Sequence, residues 1–274
     1  MSTQHDWFKI LTDCKNNVKD TIKPYLKTLN EPQPDLGEGA GGDAMKPVDL
    51  AAEKAIVNTL QKHEISFSLI SEESGFKKYG NNPEDCYVTI DPIDGTTNLI
   101  RGLPFYASSI AISRKPFIAD VYAALVTDLH HDIPYMAQEN KGAYRDNERI
   151  KTSQVSNLQE AVIGMDLNTY KVVEIAPKVT DLIQQTRHIR HYGANALELC
   201  YVANGLTDAF VDIRGKIRTT DAAAGFLIVK EAGGIITDSK KQPINVKLDP
   251  KQTLNFVAAG NTKIHDTILG LVKL

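Results

Sequence analysis

The run Asp91-Pro92-Ile93-Asp94-Gly95-Thr96-Thr97-Asn98 constrains this chain more than any other stretch. It follows the β-rich segment Tyr87-Val88-Thr89-Ile90, so a strand delivers Asp91 at its carboxyl end. Pro92 fixes φ and turns the chain, which brings Asp94 back toward the same point. Two carboxylates held that close repel each other unless a cation sits between them. Oxygen donors select a hard ion such as Mg²⁺, which keeps waters and phosphate oxygens beside a few carboxylates. Gly95 allows close backbone approach, and a helix starting at Thr96 would aim its N–H groups at an anion. The run thus predicts a strand, a tight turn, a helix start, and a place where cation and anion meet.

Three other carboxylates stand at similar junctions. Between Glu31 and Pro47, the residues Pro32, Pro34, Gly37, Gly39, Gly41 and Gly42 break any regular element and predict a mobile loop. Asp49 then reads as the N-cap of a helix over Leu50–Gln61, with Ala52, Ile56 and Leu60 inward. The loop is either a plain linker or an active-site flap; local sequence supports both. Glu72 and Glu73 follow the strand-like Ser68-Leu69-Ile70, with Glu72 toward the ion and Glu73 facing away. Asp221 opens a helix over Ala222–Ala232 closed by Gly233-Gly234; taken alone, it is an ordinary cap.

The rest of the chain supplies the frame. Trp7, Leu11, Cys14, Val18, Ile22, Tyr25 and Leu29 recur at helical spacing, with Pro24 set to kink or shorten the helix. Strands are expected at 105–113 and 119–127. The second half alternates: strand 161–165, helix 171–186, strand 187–190, helix 194–204, strand 208–211. That alternation predicts a layered α/β architecture. His130-His131-Asp132 reads as a surface hairpin, since neighbouring histidines in a strand point to opposite faces and rarely share one ion.

Lys and Arg number 31 against 34 Asp and Glu, a net charge of −3, which excludes nucleic-acid binding through bulk basicity. No apolar run approaches the ~20 residues needed to span a bilayer. The first residues lack a basic and an apolar region of the secretory kind, so no signal peptide is expected. Cys14, Cys86 and Cys200 are odd in number and widely spaced, which predicts reduced thiols in a cytoplasmic protein.

Four motifs carry a resemblance. They are Pro47-Val48-Asp49 with Ala52-Glu53, Ile70-Ser71-Glu72-Glu73-Ser74-Gly75, Asp91 through Asn98, and Asp221-Ala222-Ala223-Ala224-Gly225 running on to Glu231-Ala232-Gly233-Gly234. Together they resemble the inositol monophosphatase superfamily, which also holds fructose-1,6-bisphosphatases and nucleotide 3′-phosphatases. Coverage runs from about Ala40 to Asp238. Leu69–Lys78 and Phe105–Ile110 look closest to the archaeal-type branch active on both inositol monophosphate and fructose 1,6-bisphosphate.

The resemblance implies an alternating α-β-α-β-α five-layer sandwich of the sugar-phosphatase type. It implies a single catalytic unit over residues 1–274, with halves at about 1–150 and 151–274. Glu72, Asp91 and the Ile93 carbonyl would hold one Mg²⁺, and Asp91, Asp94 and Asp221 a second. A third, weaker ion would use Glu72 and waters near Asp49, and Mn²⁺ could replace Mg²⁺. Thr96, bonded to Asp49, would orient or deprotonate the attacking water, and the Gly95 and Thr96 amides would hold phosphate. Two cations would then serve both ends of an in-line displacement, with direct transfer to water. Lithium inhibition and homodimers are further implications, and the partner would be a small phosphorylated polyol or sugar, not a nucleic acid or membrane.

Departures from the family pattern touch the substrate side. Thr220 stands where many relatives have Trp, and Ala194 follows Gly193 where Ser or Thr is common. Asp212 either bonds a substrate hydroxyl or sits in a surface loop. Arg214, Lys216 and Arg218 either meet a second phosphate or form a solvated basic loop. The rival enzyme reading is a 3′-phosphoadenosine 5′-phosphate phosphatase. A non-catalytic binding member of the fold would be expected to lack metal ligands, which are all present here.

Overall fold

A computed structural model describes residues 5–27, 34–168 and 171–273. Eight strands build the first sheet: β1 (Phe67–Ser71), β2 (Gly75–Tyr79), β3 (Tyr87–Asp94), β4 (Ala107–Ser113), β5 (Val121–Asp128), β6 (Ile133–Gln138), β7 (Gly142–Arg145) and β8 (Glu148–Arg149). Their order is β2-β1-β3-β4-β5-β6-β7-β8, and only the β1–β3 pair is parallel. The second sheet holds β9 (Val162–Met165), β10 (His188–Arg190), β11 (Ala209–Arg218), β12 (Ile235–Thr237) and β13 (Thr253–Ala259), ordered β10-β9-β11-β13-β12. In it β10, β9 and β11 run parallel.

Helices fill three layers around these sheets. On the outer face of the first sheet lie α1 (Trp7–Leu26) and α2 (Pro47–Lys62), where Leu11, Val18 and Ile22 meet Ile56, Leu60, Ile110 and Ile112. A short α3 (Thr96–Arg101) follows β3 directly. Outside the second sheet, α4 (Val172–Gln185) sits with the last helix, packing Val179 and Leu182 over Ile163 and Val211. Between the sheets run α5 (Asn195–Ala203) and α6 (Thr219–Glu231). The last helix, α7 (Thr262–Leu271), adds Ile264 and Ile268 to the outer layer. The five-layer α-β-α-β-α sandwich expected from sequence is the fold observed.

Strand alternation explains why each sheet serves two cores. On β13, Phe256 and Ala258 face the middle helices while Val257 and Ala259 face α4 and α7. The small residues of α6 let the middle layer pack closely: a Cβ on Gly225 would meet Leu199 Cδ1 at 2.6 Å. Ala222–Gly225 therefore serves packing of α6 on α5 as well as any chemistry at Asp221.

Several elements differ from expectation in position. Asp49 and Asp221 are not N-caps; each lies at the third helical residue, because α2 starts at Pro47 and α6 at Thr219. Pro47 opens α2 at no hydrogen-bonding cost, since the first helical N–H groups have no partner within the helix. The helix α1 runs through Pro24 and ends at Leu26, two residues beyond it; Leu29 and residues 31–33 lie outside the described residues. β11 runs on to Arg218 through a register shift between Asp212 and Ile217. His130 and His131 fall in the β5–β6 turn, as expected, but their rings meet edge to face at 4.7 Å rather than diverging.

Candidate active site

The irregular end of β3 sets the geometry. Asp91 pairs with Ser109 and Asp94 with Ala107, and the ladder shifts between them at Pro92, which has no N–H to give. The shift brings both acids to one cleft of about 400 Å³, which Glu72, Asp49, Thr96 and Asp221 also line. Gly95 follows with φ +86°, and a Cβ there would meet Ala194 Cβ at 3.0 Å and Gly193 O at 3.1 Å. Only glycine suits that left-handed, crowded corner. From it α3 begins, and Gly95, Thr96 and Thr97 line the cleft.

Glu72, Asp91 and Asp221 each place a carboxylate oxygen within 4.8 Å of the others. Their chain positions are far apart: Glu72 in the β1–β2 turn, Asp91 late in β3, Asp221 in the first turn of α6. Asp94 lies in the same cleft, and its Oδ2 accepts a hydrogen bond from Ala196 N at 2.6 Å, at the amino end of α5. The trio therefore cuts across the two ion sites expected from sequence, joining Glu72 to Asp221 and leaving Asp94 beside them.

Burial and mutual repulsion make these acids reluctant to ionise. Burial, then the charges of Asp221 and its neighbours, pushes Glu72 up to about 9. Asp91 and Asp94 are held well above the ordinary carboxylate range by burial and by the surrounding acids. Asp221 is raised too, again chiefly by burial, although Arg218 opposes the shift. Burial lifts Asp49 to about 7, against the pull of Thr96 and Lys46. So dense a set of oxygens, with no histidine or cysteine lining the cleft among the described residues, suits a hard divalent cation.

Thr96 Oγ1 lies 2.9 Å from Ile93 O and 3.3 Å from Asp49 Oδ1. Its single hydrogen can serve only one acceptor at a time. The expected Thr96–Asp49 pair is thus in place, with the Ile93 carbonyl as a third member.

Other sequence-derived sites fare differently. Glu73 does not face away: it lines the cleft, and burial together with Asp49 and Glu53 pushes it up to about 7. Glu72-Glu73-Ser74 is a turn rather than strand, so strict alternation of side chains does not apply. Asp212 is neither surface nor cleft lining; it is fully buried, and Arg214 binds it through Nε at 2.7 Å. Arg214 also pairs with Asp166, so it is not free for a second phosphate in this arrangement. Lys216 donates to Asn168 O at 3.2 Å.

Gly193 lines the cleft, whereas Ala194 is buried behind it as the N-cap of α5. Arg218 does reach the cleft, but its guanidinium is engaged with protein acids. It donates to Glu72 Oε1 at 2.6 Å and Gly41 O at 3.0 Å, and pairs with Asp43 at 2.8 Å. The glycine-rich segment is therefore no plain linker here: Gly41 N donates to Glu72 O at 2.7 Å and Ala40 N to Glu73 O at 3.0 Å.

Sequence reasoning missed Lys46, Asp43 and Asn195 as cleft residues. Asn195 Nδ2 lies 3.4 Å from Asp221 Oδ2. The only available signal for it was its place beside Gly193 at a predicted helix start.

A model described as the inositol monophosphatase family matches residues 4–273. The chain is 33% identical to the fructose-1,6-bisphosphatase/inositol-1-monophosphatase of Thermococcus kodakarensis, over 98% of both chains. It is also 33% identical to the bifunctional NADP phosphatase/NAD kinase of Methanococcus maripaludis; that match takes in 97% of this chain but spans only about half, 49%, of the relative. A solved inositol monophosphatase–fructose 1,6-bisphosphatase structure superposes with a TM-score of 0.86 at 29% identity, covering 98% of this chain and 100% of the other.

Proposed function

This chain belongs to the inositol monophosphatase family, and we propose that it is a Mg²⁺-dependent phosphoric monoester hydrolase acting on inositol monophosphate, fructose 1,6-bisphosphate or both. The observation that carries the reading is the convergence of Glu72, Asp91 and Asp221 beside Thr96 and the start of α3. Glu72, Asp91, Asp94, Asp221 and the Ile93 carbonyl would hold two or three Mg²⁺ ions, with Mn²⁺ as a substitute. Bound there, such ions neutralise the phosphate, activate water and stabilise the departing oxygen.

The chain's own residues do the rest. The Gly95 and Thr96 amides hold the phosphate at the opening of α3, where the unpaired N–H groups favour an anion. Thr96 Oγ1 accepts a proton from the attacking water and passes its own to Asp49 Oδ1. A carboxyl lifted to about 7 suits that task, since a base works best when its pKa lies near the working pH. Transfer goes directly to water; a phosphorylated Thr96 trapped during turnover would contradict this.

The substrate alcohol would lie past Gly193, along the carboxyl ends of the parallel strands β9, β10 and β11, where open α/β sheets bind their ligands. Asp212 and Arg218, each open to a substrate contact in the sequence reading, are engaged in ion pairs, Asp212 with Arg214 and Arg218 with Glu72 and Asp43. We also read the chain as one catalytic unit with halves at about 1–150 and 151–274, homodimeric and inhibited by Li⁺ on the family likeness, and as cytoplasmic on its cysteine pattern. Among the described residues no helix is long and apolar enough to cross a membrane.

Initial rates on inositol 1-phosphate, fructose 1,6-bisphosphate, 3′-phosphoadenosine 5′-phosphate and NADP⁺ at matched Mg²⁺ test the assignment. Turnover of either of the first two, above the adenosine compounds, is expected. A marked preference for an adenosine compound would overturn the substrate class.

A further inference from the structure

Behind the cleft, the Tyr192–Gly193 turn connects β10 to α5 and is gripped from two sides. Glu198, in the first turn of α5, receives the N–H groups of Tyr192 and Gly193 on one oxygen, Oε1, each at 3.1 Å. Asn98 of α3 spends one side-chain hydrogen on Tyr192 O at 2.7 Å and the other on Phe105 O at 2.8 Å. The Tyr192 ring stacks on Phe105 with centroids 4.8 Å apart. Glu198 is 2% exposed, and its Oε2 has no hydrogen-bond partner. A buried carboxylate with one oxygen unsatisfied is costly unless its other oxygen does something that hydrophobic packing cannot.

What the gripped turn touches explains the cost. Gly193 O and Ala194 Cβ lie 3.1 Å and 3.0 Å from where a side chain on Gly95 would start, so the turn backs directly onto the Gly95 corner. Two residues further on, Ala196 N donates to Asp94. Moving the turn therefore moves the wall behind the phosphate-holding amides and the donor that orients Asp94.

We propose that Glu198 is a positioning residue for catalysis, its Oε1 fixing the Tyr192–Gly193 turn against Asn98 and so setting the Gly95 corner and the Asp94 carboxylate. The role rests on the hydrolase reading for its catalytic consequence but not for its structural one. Its action is through acceptor geometry: two backbone donors converge on one oxygen, and a carboxamide oxygen can take both.

Amide exchange of residues 190–194 by mass spectrometry in metal-free protein, and initial rates on inositol 1-phosphate at saturating Mg²⁺, test it in the full chain. Glu198→Leu leaves both N–H groups without an acceptor. It should speed exchange at Tyr192 and Gly193 by about tenfold or more, as loss of one or two buried hydrogen bonds predicts. It should lower kcat about tenfold with KM changed less than about threefold, the pattern of an interaction felt in the transition state. Glu198→Gln should restore both to within about threefold of wild type, since the amide oxygen replaces the acceptor.

Should Glu198→Leu fail to fold, Gly193→Ala distorts the same turn from its other side, through a left-handed φ of +83° and a Cβ 3.2 Å from Asn98 Nδ2, and should show the same paired loss. Unchanged exchange and kcat in Glu198→Leu would overturn the proposal. So would a Glu198→Gln variant as impaired as Glu198→Leu, which would make the charge and not the acceptor responsible. Wild-type protein inactive on every phosphate ester would instead refute the hydrolase reading, while exchange would still report on the turn.

Discussion

Replacing Asp91 by Asn should make the metal-free protein more stable while abolishing its activity. The substitution keeps shape and removes one of three carboxylates whose oxygens lie within 4.8 Å of one another. At that separation and an effective dielectric near 20, each ionised pair repels by about 3.5 kcal/mol, and Asp91 takes part in two such pairs. The raised pKa values mean that part of this repulsion is relieved by protonation at neutral pH, and Arg218 offsets more of it. The remaining gain is about 1–3 kcal/mol at pH 8, or ~2–5 °C in Tm for a chain of this size.

The sign of the pH dependence follows from the same groups. A carboxyl whose folded pKa is raised binds more protons folded than unfolded, so stability falls as pH rises above the ordinary carboxylate range. For Glu72 that loss continues to about 9. Thermal unfolding in EDTA from pH 5 to pH 9, then with Mg²⁺, is the assay. Wild type should lose stability across the series and regain it with Mg²⁺. Asp91→Asn should lose less, regain little, and show a kcat/KM reduced by about 10³-fold or more, as expected when several kcal/mol of charge stabilisation are forfeited. A variant that is less stable in EDTA, or that Mg²⁺ stabilises as much as wild type, would mean that repulsion at Asp91 does not set this stability.

Further outcomes are expected. Thr96→Ala should lower kcat about 10²–10⁴-fold, the usual span for a lost proton-transfer group. In wild type kcat/KM should fall below pH ~7 as Asp49 takes up a proton, and Asp49→Asn should flatten that limb; a limb unchanged in the variant would assign it elsewhere. Titrating Mg²⁺ into unbuffered protein near pH 8 should release protons, because Glu72 and its neighbours must ionise to bind it, and no release would contradict the raised pKa values. Gly95→Ala should cost about 1–2 kcal/mol of stability from its left-handed φ alone, and should raise KM through the Ala194 contact; a neutral Tm and KM would remove the corner from the account.

What the chain reveals before folding is mostly local. Asp91 and Asp94 could be placed together because a proline and a glycine between and after them dictate a turn within four residues. The five layers followed from alternating periods plus the family likeness. Positions set by distant partners were not legible. Arg218 reads as a surface cation until it is seen on Glu72, 146 residues away, with Gly41 and Asp43 behind it.

Strand alternation points Glu73 away from the cleft, but Glu73 lies in a turn, where alternation does not hold. Asp212 reads as loop polarity, yet it is the last residue of β11 paired before the register shift, and Arg214 beyond it turns back to bind it. Asp49 and Asp221 read as caps because acids near helix starts commonly are; only the paths of Pro47 and Thr219 show them one turn inside. Glu198 carried no signal at all, since an acid in a short helix is ordinary until its oxygen is found under two backbone amides.

Metal dependence is read from phosphate release from inositol 1-phosphate by protein stripped with EDTA, before and after Mg²⁺ is restored, with Asp221→Asn run beside wild type. The stripped protein should release none, adding Mg²⁺ should restore full release, and Asp221→Asn should release none under either condition. Turnover by the stripped protein at the restored rate, or an Asp221→Asn variant as active as wild type at saturating Mg²⁺, would contradict it.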